Sequence, residues 1–484
     1  MPKPERHLAE TTAPPVLSAK DWHSEDDPSN PRNFPLRRRV LSTIAVTLLA
    51  FVSTFGASIY SAGIAEVSST FNVSEEVAIL ALSLYNLGLA AGPLIGAPLS
   101  ETAGRKLVVL IATPIFALFT LGAGFSTNIA ALSICRFFAG VFAAPAVGNA
   151  SATITDYTAG RYRAISMAFY YSVPFLGAVL GPLVGGFVAQ ARGWRWTQWT
   201  TVFFTVAFYL PVLFTRETYK HTILRRRAKQ LAIEGPPRID RSPAATIRHF
   251  ATTLLVRPLH MLLTEPIVTL VCLYNGFLFG LMYTFVVASP WVYEHYYAFP
   301  PASQNLSFLG LILGTLLAPF PLILIDHLLY QPRLKRFDQT KPEADQRFPP
   351  EHRLYPSLIG SLLLPTCLFI FAWTARPAVH WIVPIFFQGA AILASLLIYA
   401  SANLFMMDSY GPLYGASAAG AAMLSRYTLS AAFPLFSLQL YRALGVGWAT
   451  SLLAFCTLAM APIPWLFWLW GAQLREKSTY ETSA

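Results

Sequence analysis

Residues 77–106 read VAILALSLYNLGLAAGPLIGAPLSETAGRK, and residues 107–126 read LVVLIATPIFALFTLGAGFS. Two runs free of Asp, Glu, Lys and Arg flank one short charged turn, and each is long enough to cross a bilayer, which takes about 20 apolar residues in a helix. This is the pattern of a membrane-spanning helical hairpin, and it continues in both directions. Charge-free stretches recur at 40–65, 77–100, 107–135, 164–191, 196–215, 266–293, 295–325, 354–375, 377–407 and 443–474. Windows 131–155 and 413–441 are equally apolar apart from Arg136 and Arg426. With 55% hydrophobic and 12% charged residues, the chain reads as an all-α polytopic membrane protein. Twelve spans are expected near 40–62, 77–98, 107–126, 131–155, 164–188, 197–215, 266–290, 304–326, 355–374, 380–404, 413–438 and 447–471.

An even number of spans puts both termini on one side, and the basic residues say which. Arg37, Arg38 and Arg39, Arg105 and Lys106, Arg161 and Arg163, a cluster at 216–257, six residues from Arg333 to Arg353, and Arg475 with Lys477 all fall on the terminal side. The opposite loops hold only Arg192, Arg195, Arg376 and Arg442, so the positive-inside rule places both termini in the cytosol. The net charge of +11 is therefore membrane topology rather than a nucleic-acid footprint, since the basic residues flank spans without interleaved aromatics. Cys135, Cys272, Cys367 and Cys456 lie inside spans without close spacing and read as packing residues. The first 30 residues lack a cleavable signal, which leaves span 1 as the expected insertion signal.

The spans divide six and six. The expected organisation is a disordered cytosolic N-terminus (1–36), a first six-helix bundle (37–216), a cytosolic linker (217–261), a second bundle (262–472) and a cytosolic tail (473–484). The linker begins as a short basic amphipathic helix and breaks at Pro236-Pro237. N-x-S sequences at Asn72 and Asn305 lie near outer loops and are candidate glycosylation sites, whereas the one at Asn149 is inside a span.

Three segments carry candidate mechanism. In APLSETAGRK (97–106), Glu101 and Arg105 can form a charge relay across a turn tightened by Gly104. In GAVLGPLVGG (177–186), Gly177, Gly181 and Gly185 form a flat strip for close helix approach, with Gly186 beside it and Pro182 permitting a bend. In RFFAG (136–140), Arg136 lies one to two turns deep and is expected to face the cavity and couple protons or substrate, with a structural anchor as the other reading; Arg426 has a weaker case.

These strings resemble those of the major facilitator superfamily. PLSE followed by GR, the complete glycine-proline string of span 5, RFFAG, DPSNPRNF, GWRWTQW, RETYK, PEHRLYPS, AAFPLF and PIPW resemble the fungal twelve-helix drug:proton antiporter branch over nearly the whole chain. Glu101, Ala97 and Thr102 stand where Asp, Gly and a basic residue are usual, and Phe34 and Arg216 replace the usual Trp and Pro. The resemblance implies two six-helix bundles that rock about a central site and export small organic molecules against inward proton movement. The alternative is a facilitator-type importer or proton symporter of a nutrient or metabolite.

Polar and aromatic residues within spans, notably Asn86, Tyr171, Asn275, Gln388 and Asn403, are candidate lining of a polyspecific cavity. No Asp or Glu lies mid-span, so a carboxylate at a helix end, Asp156 or Glu101, is the candidate proton carrier, or coupling runs through Arg136. The same absence favours neutral or weakly acidic substrates over polyamines. No grouping of histidines for a metal and no phosphate-binding loop is present, so neither an enzyme nor a cofactor is expected. The expected partners are the bilayer, a small molecule and protons, for a monomer in the plasma membrane or, alternatively, the vacuolar membrane.

Overall fold

A computed structural model describes residues 21–231 apart from 23, 25 and 159, positions 233 and 252, and residues 256–340 and 348–480. Among the described residues there is no β-strand, and twelve helices have the length and order expected of the spans. They are α1 (Leu36–Phe71), α2 (75–103), α3 (Arg105–Gly124), α4 (Ile129–Tyr157), α5 (Gly160–Arg192), α6 (Arg195–Leu213), α7 (Pro266–Tyr297), α8 (Pro301–Gln339), α9 (Tyr355–Thr374), α10 (Ile382–Gly411), α11 (412–444) and α12 (446–476). Helix is the form that satisfies every backbone group within one segment where lipid offers no hydrogen bonds. The 20 residues of α3 span about 30 Å at 1.5 Å each, the thickness of the hydrocarbon layer.

The last three spans follow one another with a single glycine at each break. Gly411 (φ 59°, ψ −163°) and Gly445 (φ 70°, ψ 164°) break what is otherwise continuous helix, in conformations that a side chain disfavours.

The halves α1–α6 and α7–α12 repeat the same close approaches. In the first half Gly88 of α2 lies against Phe137 and Gly140 of α4; in the second Gly314 of α8 lies against Gly389 of α10. Gly177, Gly181 and Gly185 of α5 face Phe51, Ser58 and Ile59 of α1, where an added Cβ would come within 2.0–2.7 Å of α1 atoms. Correspondingly, Gly276 and Gly280 of α7 face Ser425, Leu429 and Phe433 of α11. Small residues therefore set the helix pairing inside each bundle, as is usual where lipid provides no hydrophobic drive between helices.

The structure departs from the expected disorder of 1–36 over residues 26–34. Asp27 is buried and accepts two hydrogen bonds from the Arg227 guanidinium, both 2.7 Å, while Asn33 donates to the Asp27 carbonyl. Arg227 belongs to the linker helix Lys220–Leu231, which buries Thr222, Leu224 and Ala228. The start of the linker is thus pinned to the bundle by an N-terminal strap, through an ion pair between residues 200 positions apart that local composition does not reveal. Pro236 and Pro237 lie outside the described residues. The tail docks as well: Ser478 and Thr479 donate to Glu265, the residue preceding α7, which also accepts from Tyr410.

Candidate functional site

The two bundles meet along a face of aromatic rings. Phe175 of α5 lies 4.5 Å from Phe279 of α7 and 5.4 Å from Tyr399 of α10, centre to centre, and Tyr171 of α5 lies 5.1 Å from Tyr399. Two of these, Phe175–Phe279 and Tyr171–Tyr399, meet edge-on, and such pairs contribute about 1 kcal/mol each beyond their burial. Asn86 of α2 donates to the Ser430 carbonyl of α11 at 3.4 Å, adding a polar contact between the halves. At the end opposite the termini, Arg442 pairs with Glu75 at 3.0 Å, and the Asn305 carboxamide of α8 fills the space where a side chain on Gly186 of α5 would sit. That end of the interface is closed in this conformation.

The expected cavity residues separate into two groups. Asn86, Tyr171 and Asn275 are buried, Asn86 and Tyr171 on the facing surfaces of the bundles. Neither side-chain atom of Asn275 has a hydrogen-bond partner, nor has Oδ1 of Asn86. Gln388 turns into the second bundle, where it donates to Ser289 and accepts from Tyr293 of α7, and Asn403 donates to the Tyr399 carbonyl of its own helix. Gln388 is therefore a helix-packing contact, since the rotation of α10 aims it at α7.

The two buried arginines differ in how they are satisfied. Arg136 of α4 donates Nε to the Ala81 carbonyl, Nη2 to the Gly56 and Ala57 carbonyls, and Nη1 to Gly56 and to Gln198 Oε1, at 2.9–3.3 Å. Its guanidinium also lies 4.4 Å from the Tyr60 ring and 4.9 Å from Tyr85. All of these belong to α1, α2 and α6, so Arg136 ties its own bundle together. This corrects the expectation that it faces the cavity: five donors are absorbed by helix carbonyls and one amide of a single bundle. Arg426 of α11 is buried among Phe279, Tyr399 and Tyr427 at 4.7, 5.5 and 4.4 Å, and its Nη1 donates to the Tyr399 hydroxyl. Its Nε has no partner.

At the end bearing the termini, the charged turn before α3 forms a second constellation. Glu217, just beyond α6, accepts from the backbone N–H groups of Arg105 and Lys106 at 2.9 and 3.2 Å, so its carboxylate caps the N-terminus of α3. Gly104 (φ +102°) is required there, because a Cβ would fall 2.4 Å from Glu217 Oε2. Arg105 donates to Ser100, pairs through Nε with Asp156 at 3.6 Å and covers the Tyr219 ring; Asp156 also accepts from Thr218. Lys106 Nζ donates to the carbonyls of Leu213 and Thr215 at the end of α6. The expected relay thus runs through Asp156 and Glu217, while the side chain of Glu101 lies outside the described residues.

Of the candidate glycosylation sites, Asn72 is exposed in a left-handed turn (φ 51°). Asn305 does not fit the role, because its carboxamide is packed on Gly186.

The Major Facilitator Superfamily profile matches residues 46–434. The chain belongs to this superfamily. Among its relatives, the efflux pump FUBT of Fusarium oxysporum is 36% identical over 95% of this chain and 77% of its own length. Polyamine transporter 4 of Saccharomyces cerevisiae is 34% identical over 96% and 73%. Among solved structures, the proton:xylose symporter XylE aligns over 90% of this chain and 96% of its own, with a TM-score of 0.64 and 16% identity, a likeness of fold alone.

This major facilitator transporter carries a further cluster that sequence reasoning did not single out. Arg353, before α9, pairs with Asp408 of α10 at 3.0 Å and Asp326 of α8 at 3.5 Å, and lies 3.8 Å over the Tyr330 ring. Glu351 pairs with Arg475 at the end of α12. The arrangement repeats that of the first half: a cation at the start of the third helix of the bundle meets a carboxylate at the end of the fourth. Glu217, Glu351 and Arg353 lie in RETYK and PEHRLYPS, strings noted only for their resemblance. Aligning the two halves by span number would have matched Arg353 to Arg105 and Asp408 to Asp156.

Proposed function

We propose that this transporter exports small hydrophobic organic compounds, such as drugs, toxins or secondary metabolites, from the cytosol by proton antiport, with both termini cytosolic and the plasma membrane as its location. The observation that carries the reading is the α5 strip. All five positions of the glycine-proline string are present, with Gly177, Gly181 and Gly185 pressed on α1 and Gly186 on Asn305 of the opposite bundle. A helix so seated can transmit a tilt of one bundle directly to the contact that closes the outer end. The relative named an efflux pump supports the direction of transport.

Coupling is assigned to the Arg105–Asp156 pair. Asp156 ends the helix that carries Arg136, and its charge is balanced by Arg105 across the turn. Protonation of Asp156 would release Arg105 and loosen the inner end of the first bundle, biasing one access state over the other. The protein works as a monomer in the bilayer.

The test is accumulation of fluorescent dyes and azoles in cells stripped of their own exporters, with and without this protein and a protonophore. The expected result is lower accumulation that the protonophore abolishes. Higher accumulation of any compound would indicate import and overturn the reading.

A further inference from the structure

We propose that the central site binds organic anions, with Arg426 as the partner of an aromatic substrate's carboxylate. The proposal deepens the exporter reading and rests on it for the direction of transport.

Arg426 stands 15 residues from the break at Gly411 and 19 from the break at Gly445. At 1.5 Å per residue it is about 22 and 28 Å from the two ends of α11, near the middle of the membrane and too deep to snorkel. A cation at that depth needs a partner. Among the described residues no carboxylate pairs with it: its neighbours are the rings of Phe279, Tyr399 and Tyr427 and the Tyr399 hydroxyl.

Arg136 shows how fully this fold can satisfy a buried arginine, with Nε and both terminal nitrogens donating to four acceptors. Arg426 spends one terminal nitrogen on a hydroxyl and leaves its buried Nε without an acceptor. A guanidinium offers five N–H groups in a planar fork that matches a carboxylate with two parallel hydrogen bonds. A carboxylate would supply the missing acceptor and the missing counter-charge together.

The location makes that anion a transported ligand. Tyr399 and Phe279, which wall Arg426, are themselves covered by Tyr171 and Phe175 of the other bundle. Parting the bundles uncovers Arg426 together with these rings, and a flat aromatic acid would replace the lost ring contacts with its body and the missing counter-charge with its head. Asn86 Oδ1, on a side chain that already touches the other bundle at Ser430, is a further buried polar atom available to a neutral polar group of such a ligand. A polyamine would meet an uncompensated positive charge.

The test uses purified full-length protein in lipid nanodiscs at neutral pH. Dissociation constants are measured for 1-naphthoic, salicylic and 4-phenylbutyric acids, for their carboxamides, which keep the shape without the charge, and for spermidine. Acids should bind about ten-fold or more tightly than their amides, a difference within the range of one charge-assisted bidentate contact. Arg426→Gln should reduce the ratio to about one and Arg426→Lys should keep part of it, since an ammonium preserves charge without the fork. Amides binding as tightly as acids, tighter spermidine, or no binding by any acid would overturn the proposal. The wild-type ratio decides even where a variant fails to elute as a single species. Acids that bind but are not expelled from cells would sink the exporter reading and leave the anion site standing; dyes expelled without acid binding would do the reverse.

Discussion

Gly186→Ala separates a contact between bundles from packing inside one. A Cβ on Gly186 would lie 2.0–2.1 Å from Cγ, Nδ2 and Oδ1 of Asn305, well inside the 3.4 Å at which ordinary contact begins. The obstructing atoms end a side chain, which can swing aside only by giving up its seat on α5. That places the cost at the lower end of overpacking penalties, about 1–2 kcal/mol. Because the contact exists only while the bundles touch at this end, the penalty falls on the closed state and should shift the equilibrium toward opening about 5- to 30-fold.

The assay is the labelling rate of a single cysteine at Gln439 of α11, three residues before the Arg442 that pairs with Glu75 at the closed end, by a charged maleimide, in a background lacking the four native cysteines. Gly186→Ala should raise the rate by that factor, and adding Asn305→Ala should restore it, since the alanine leaves room. Gly181→Ala is the control. Its Cβ would meet Ser58 Oγ at 2.0 Å and Ile59 N at 2.7 Å, both within the first bundle, so it should lower thermal stability without changing labelling. Unchanged labelling in Gly186→Ala, or a rise that persists in the double variant, would refute the argument.

Arg353→Met leaves Asp408 and Asp326 without their shared cation and should cost about 3–5 kcal/mol, read as a lower melting temperature in detergent; adding both Asp408→Leu and Asp326→Asn should recover most of it. A loss below about 1 kcal/mol would class the pair with weak surface bridges. Arg136→Gln should lower stability by about 2–4 kcal/mol and leave substrate preference unchanged, because it strips donors from carbonyls of one bundle. Altered preference with unchanged stability would return Arg136 to the cavity. Burial raises the Glu265 pKa, but the hydrogen bonds from Ser478, Thr479 and Tyr410 outweigh it and hold the group below its ordinary 4.5. Its contribution is then fully present above pH 4.5 and lost as pH falls through the lower folded value, so Glu265→Gln should flatten the acid side of the thermal-stability profile. An identical acid limb in wild type and variant would show that tail docking is energetically silent.

The sequence by itself determined the class and count of elements. Lipid leaves helix as the solution for each apolar run of about 20 residues, so the spacing of the charged residues pointed to twelve spans. It also located the sharp turn at Gly104 and the small-residue strip of α5, because both depend on residues within a few positions of one another. Which way a side chain points was not legible. Arg136 and Arg426 look alike in sequence, each a lone cation in an apolar run, yet one is absorbed by the carbonyls of its own bundle and the other is left in an aromatic cage of the second bundle whose outer rings face the first. Likewise Gln388 and Asn86 are equivalent candidates in sequence, yet helix rotation aims one at α7 of its own bundle and the other at Ser430 of the opposite bundle. Other pairings that hold the structure together, Asp27 with Arg227, Arg353 with Asp408 and Gly186 with Asn305, lie 55 to 200 positions apart. Helix rotation and pairing bring them together, and those are set by the close packing of whole helices, a property of the tertiary structure that no local pattern records.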